Sequence, residues 1–205
     1  MNKLDNHDLI AKLDVSDMLR LISTLPEQCL EAYEIGKKSQ VSKPEIEIHN
    51  IVFAGLGGSA IGADIVRIYL QGELKIPVIV CRNYVLPGFV NKNTLLFCAS
   101  YSGNTEETLA SFEDGLNRGA NIITMGSGGK LKENSLKNGF KHITIPSGFP
   151  PRTAVGYMSI TVLAVLSKIG VIKDKEEEVL KLHSALSGLR DKEIGVKVPT
   201  SNNIS

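Results

Sequence analysis

The chain has 205 residues, 42% hydrophobic and 22% charged, and its 23 Lys and Arg nearly balance 22 Asp and Glu. That length can bury one sizeable core, and the near-neutral balance excludes the broad cationic surface a nucleic acid or membrane would attract, leaving a small molecule or another protein as partner. Cys29, Cys81 and Cys98 are odd in number and lack CxxC spacing, which excludes a disulfide framework or zinc knuckle and fits a reducing cytoplasm.

Met1–Asp8 is polar and carries no apolar signal core. From Ser16 to Lys38, Met18, Leu19, Ile22 and Leu25, then Cys29, Ala32 and Tyr33, recur at helical spacing. Ser16 is the expected N-cap, and Pro26 suits the first turn of a second helix. These residues form a helical preface over 1–40. Ser39–Glu47, with Pro44 and mixed charge, reads as a connector.

Strand and helix then alternate. Strands are predicted at Ile48–Ala54, Pro77–Cys81, Leu95–Ala99, Asn121–Met125 and His142–Ile145. Helices are predicted at Ala60–Leu70, Thr105–Arg118, Leu131–Asn138 and Thr153–Ile169. Most strands are continuous runs of Val, Ile, Leu and Phe, as a parallel sheet covered on both faces requires. The fold class is therefore α/β, a doubly wound, mainly parallel sheet of five strands over 41–171. Ala154–Leu166 is too short to span a bilayer and reads as a buried helix. Residues 172–205 hold a charged helix, Asp174–Leu189, whose Glu176–Glu178 run reads as a solvated face, and then what looks like the beginning of another strand or loop.

Two hydroxyl-and-glycine clusters, Gly57-Gly58-Ser59 and Ser100-Tyr101-Ser102-Gly103-Asn104-Thr105, each follow an apolar strand and open a helix. Small residues there let backbone NH groups approach an anion at the positive end of the helix. Ser100, Ser102 and Thr105 add hydroxyl donors without fixed charge. Asn104-x-x-Glu107 also fits a capping box, which uses the other face of the loop. Gly55, Gly57 and Ala60 match the dinucleotide pattern GxGxxG/A as well, but Cys81 and Arg82 stand where an acidic ribose ligand is required. Only an NADP reading survives there, with Arg82 on the 2′-phosphate. Gly126-Ser127-Gly128-Gly129-Lys130 lacks P-loop spacing and reads as a flexible turn.

Gly57-Gly58-Ser59-Ala60-Ile61-Gly62, Ser100-Tyr101-Ser102-Gly103-Asn104-Thr105-Glu106-Glu107-Thr108 and Pro150-Pro151-Arg152 resemble the three signatures of the bifunctional phosphoglucose/phosphomannose isomerases, within the sugar isomerase (SIS) superfamily. The resemblance implies an aldose–ketose isomerase converting glucose 6-phosphate and mannose 6-phosphate to fructose 6-phosphate through an enediolate. It implies that Ser59, Ser100, Ser102 and Thr105 hold the phosphate, that Gly57 and Gly58 line the sugar site and that Arg152 stabilises the enediolate. A guanidinium suits that task because it keeps its proton.

The same resemblance implies two SIS domains in tandem and a homodimer, with the catalytic Glu, His and Lys in the second domain. This chain resembles the amino-terminal half, with 172–205 leading into the second domain. No residue in it replaces the missing base: His7, His49, His142 and His183 do not adjoin a glycine loop, and Glu106 and Glu107 stand at the phosphate end of the substrate. A non-catalytic sugar-phosphate sensor is the alternative. No cofactor or metal ligand set is expected. The apolar helix at Thr153–Ile169 and the unfinished carboxyl end are expected to expose surface that favours self-association.

Overall fold

The computed structural model describes residues 5–204, so part of the polar amino terminus and the last residue of the carboxyl segment lie outside the described residues. Five strands, β1 Asn50–Ala54, β2 Val78–Cys81, β3 Thr94–Ala99, β4 Asn121–Gly126 and β5 Lys141–Thr144, pair in the order β2-β1-β3-β4-β5, all parallel. The order reverses between β1 and β3. Their connections leave in opposite directions and open a crevice beyond the strands' carboxyl ends, where doubly wound sheets bind ligands.

Every residue of β3 is buried. Its alternate side chains serve two cores: Leu95, Phe97 and Ala99 face the cluster under α3 (Leu25–Lys38), α4 (Gly57–Tyr69) and α7 (Val155–Lys168), while Leu96 and Cys98 join Phe112 and Leu131 on the other side. Phe53 of β1 and Phe97 of β3 pack with ring centroids 5.1 Å apart. The remaining helices are α1 His7–Leu13, α2 Met18–Ser23, α5 Glu106–Asn117, α6 Gly129–Lys137 and α8 Glu176–Leu189. The alternating reading is thus realised, with boundaries shifted by a few residues.

Local capping accounts for the differences. α1 was not among the expected elements; Asn6 starts it by accepting a hydrogen bond from the Leu9 NH at 3.1 Å. At α2 the expected Ser16 cap is replaced by Asp14, whose carboxylate accepts from the NH groups of Met18 and Leu19, both at 2.8 Å. Pro26 does lie in the first turn of α3.

α7 is covered, not exposed. Every residue from Gly156 to Leu166 is buried, which overturns the expectation that this helix leaves a sticky face. α3 comes close enough to cover it because of Gly36, where a Cβ would stand 2.5 Å from the Ala164 Cβ. Exposed apolar surface lies instead on α4, at Ile61, Ile65 and Ile68. Cys29, Ala32 and Tyr33 of α3 and Val179 of α8 belong to the same core as the sheet.

The carboxyl segment forms a π-helical turn, Arg190–Ile194, and further turns, with no strand among the described residues. Arg190 donates to the Ser23 carbonyl and to Glu27, each at 2.8 Å, and Thr200 donates to Asp5 through both its NH and its hydroxyl. Among the described residues, no helix is long and apolar enough to cross a membrane.

Candidate functional site

All three motif loops meet at the carboxyl ends of β1, β3 and β5. α4 begins at Gly57, three residues earlier than the sequence pattern predicts, so the glycines themselves form its first turn, with Gly57 at φ +53°. Gly58 faces the Pro151–Thr153 3₁₀ turn so closely that a Cβ would lie 2.7 Å from the Pro151 carbonyl oxygen. Arg152 is therefore held beside the first glycine loop. Its side chain is exposed and has no carboxylate partner among the described residues.

The second loop is folded by its own hydroxyls. Ser100 Oγ accepts from the Gly103 NH at 3.1 Å and lies 2.8 Å from Thr105 Oγ1. Whichever of the two donates, the pair keeps one O–H unspent. Ser102 Oγ accepts from the Asn104 NH at 3.2 Å and Ser59 Oγ from the Tyr101 NH at 3.3 Å, so each of those hydroxyls retains its proton for another acceptor. Ser59 and Ser100 are buried, whereas Ser102 is exposed. Thr105 occupies the N-cap position of α5 with no side-chain cap bond. The crevice thus presents hydroxyl donors at the adjacent starts of α4 and α5, where the first NH groups of a helix lack intrahelical partners, the Ser59 NH alone turning back to the N-cap Leu56 carbonyl at 3.1 Å in α4. Neutral donors arranged in this way can hydrogen-bond an anion.

Two expectations about this region change. The Asn104–Glu107 capping box does not form: Asn104 Oδ1 accepts instead from the Lys130 NH at 3.1 Å. The Gly126–Lys130 segment is a buttress more than a loose turn. Ser127 donates to the Tyr101 carbonyl through its NH at 2.8 Å and its Oγ at 2.7 Å, and the Leu131 NH donates to the Gly103 carbonyl at 2.9 Å. Composition alone gave no sign of these bonds, since the partners are more than 20 residues apart.

The four histidines do not reach the crevice. His142 bridges Thr124 Oγ1 (2.8 Å from Nδ1) and the Gly126 carbonyl (3.3 Å from Nε2) within the sheet, and burial pulls its pKa down. His49 lies 3.5 Å from Glu47 just before β1, and His7 and His183 lie on α1 and α8. Glu106 and Glu107 stand in the first turn of α5, where Glu107 above all pushes the ionisation of Tyr84 upward. Arg82, the residue an NADP site would need, is paired with Asp64 of α4. No cluster of potential metal ligands occurs among the described residues.

The architecture recurs in solved structures. A protein of Clostridium difficile 630 assigned to the phosphosugar isomerases superposes with a TM-score of 0.61 at 18% identity, over 82% of this chain and 52% of that one. The all-parallel five-stranded sheet with its flanking helices is therefore an α/β fold that this chain shares with that solved structure.

No family model matches the sequence. Curated relatives are more specific: the chain is 45% identical over 188 residues to the bifunctional phosphoglucose/phosphomannose isomerase of Caldicellulosiruptor bescii, a match covering 92% of this chain and 55% of that protein. It is 38% identical over 154 residues to the enzyme of the same name from Aquifex aeolicus, covering 74% and 47%. The D-glucosamine-6-phosphate 4-epimerase of Sulfolobus acidocaldarius is 31% identical over 119 residues, covering 58% and 37%. The chain is a homologue of the bifunctional phosphoglucose/phosphomannose isomerases and spans about half the length of these curated relatives.

Proposed function

We propose that the crevice binds the phosphate end of a hexose 6-phosphate and that this chain is the phosphate-binding, amino-terminal half of an aldose–ketose isomerase acting on glucose 6-phosphate and mannose 6-phosphate. In this reading Ser59, Ser100, Ser102 and Thr105 hold the phosphate, Gly57 and Gly58 line the sugar, and Arg152 faces the oxygens that become negative in the enediolate. The observation that carries it is the set of unspent hydroxyl protons, from Ser59, Ser102 and the Ser100–Thr105 pair, at two adjoining helix starts. The names of the relatives agree, since the isomerases and the epimerase all act on phosphorylated sugars while their reactions differ. A shared half is then the half that reads the phosphate.

Proton transfer between C1 and C2 needs a carboxylate or imidazole beside the carbon, and none of the described histidines lies there. We assign that base to a second SIS domain, toward which 172–205 leads, and expect the complete protein to be a cytoplasmic homodimer. A sugar-phosphate sensor that binds without reacting is the second reading, favoured for the isolated chain by the same missing base.

Thermal unfolding tests the assignment. Fructose 6-phosphate is expected to raise the melting temperature, and Ser102→Ala or Thr105→Val to reduce that rise, each lost charge-assisted bond costing about 1.5–3 kcal/mol of binding. Stabilisation by NADP in place of the sugar phosphate would overturn the reading. An isomerase assay on the same chain separates the two halves of the proposal: turnover above background would contradict the assignment of the base to a second domain.

A further inference from the structure

We propose that Tyr101 is a positioning residue that locks the Arg152 turn to the phosphate loops, an inference that rests on reading the crevice as a sugar-phosphate site. Tyr101 lies between the two motif serines with its ring buried, and it bonds to three of the four other loops at this end of the sheet, those after β1, β4 and β5. Its NH donates to Ser59 Oγ in the first glycine loop. Its carbonyl accepts twice from Ser127 in the β4–α6 loop. Its hydroxyl donates to the Pro146 carbonyl at 3.0 Å and accepts from the Phe149 NH at 2.8 Å, closing both ends of the segment that follows β5.

That segment runs directly into the 3₁₀ turn bearing Arg152. There Thr153 donates to the Pro150 carbonyl through both its NH and its Oγ1, each at 2.9 Å. The Phe149 ring is fixed as well, meeting Tyr157 edge-on at 5.4 Å, and the Tyr157 hydroxyl donates to Glu31 at 2.5 Å. The backbone turn that bears the exposed Arg152 is thereby tied to the phosphate loops through the Tyr101 phenol. Small displacements of such a group matter, because stabilisation of developing charge depends on preorganised distance.

Tyr101→Phe tests this by deleting the hydroxyl and keeping the ring. Hydrogen exchange needs no ligand: the Phe149 amide is expected to exchange at least about tenfold faster in the variant, and unchanged protection would overturn the clamp. Calorimetry then compares inorganic phosphate with 5-phosphoarabinonate, whose carboxylate stands in for the enediolate oxygens. Tyr101→Phe should weaken the phosphoarabinonate about tenfold, leave inorganic phosphate unchanged, and add nothing in an Arg152→Ala background. Full additivity with Arg152→Ala, or equal weakening of both ligands, would contradict a role exerted through the Arg152 turn.

Should Tyr101→Phe melt too low to titrate, two glycines inserted between the exposed Ser147 and Gly148 loosen the same turn with the tyrosine intact. That insertion is expected to reproduce the selective loss, and wild-type affinity in it would overturn the proposal. Wild-type protein that binds the two ligands equally would count against the site reading itself, and the Phe149 exchange rate then decides the clamp alone.

Discussion

Gly103 has φ +71°, and a Cβ on it would fall 1.8 Å from the Gly128 carbonyl oxygen. A side chain there is strained twice, by the left-handed backbone and by collision with backbone that cannot rotate away. Gly103→Ala is expected to destabilise the protein by roughly 2–5 kcal/mol, read as a lower urea midpoint with an unchanged slope. Wild-type stability would mean that the two loops do not touch as described. At this scale the sequence was informative about chemistry and silent about partners. Ser59, Ser100, Ser102, Gly103 and Thr105 are recognisable because their types and spacing suit an anion. Tyr101 is not, because the residues it bonds, Ser59, Ser127, Pro146 and Phe149, lie 26 to 48 positions away.

The inner strands β1, β3 and β4 were legible as apolar runs, since burial on both faces removes the alternation of a half-exposed sheet. α1 was not legible, being a seven-residue helix of about two turns held by Asn6, and the Asp14 cap of α2 lies outside the spacing a single-residue cap obeys. The cover of α7 was hidden for a different reason: it depends on Gly36 of α3, and helix proximity leaves no periodic signal. β5 carries a pH-dependent contribution of its own. Burial holds the His142 pKa below 6.5 with Lys132 adding to the effect, while the bond to the Gly126 carbonyl opposes it. The unfolded chain therefore takes up this proton first as pH falls, so the stability conferred by the neutral ring is whole above about pH 6.5 and is lost as pH falls through it. The drop in melting temperature between about pH 7.5 and about pH 5.5 should be smaller in His142→Asn than in the wild type. An equal or larger drop in the variant would contradict this account.

For the whole molecule, one core joins the helical preface, the sheet and α8, and the crevice forms beyond the paired strands β1 and β3, where the connections that follow them part. The doubly wound class was readable from the alternation of elements. Strand order places β5 three positions from β1, so the third motif at Arg152 reaches the first at Gly58 only because the segment after β5 returns across the sheet end, tied to Tyr101, and because Gly58 has no Cβ. The most direct test is a crystal structure of this chain soaked with fructose 6-phosphate. The account predicts the phosphate within hydrogen-bond distance of the Ser59 and Ser102 hydroxyls and of the Ser100–Thr105 pair, with Arg152 toward the sugar. A saturating soak that leaves this crevice empty, or that places the phosphate elsewhere on the molecule, would contradict it.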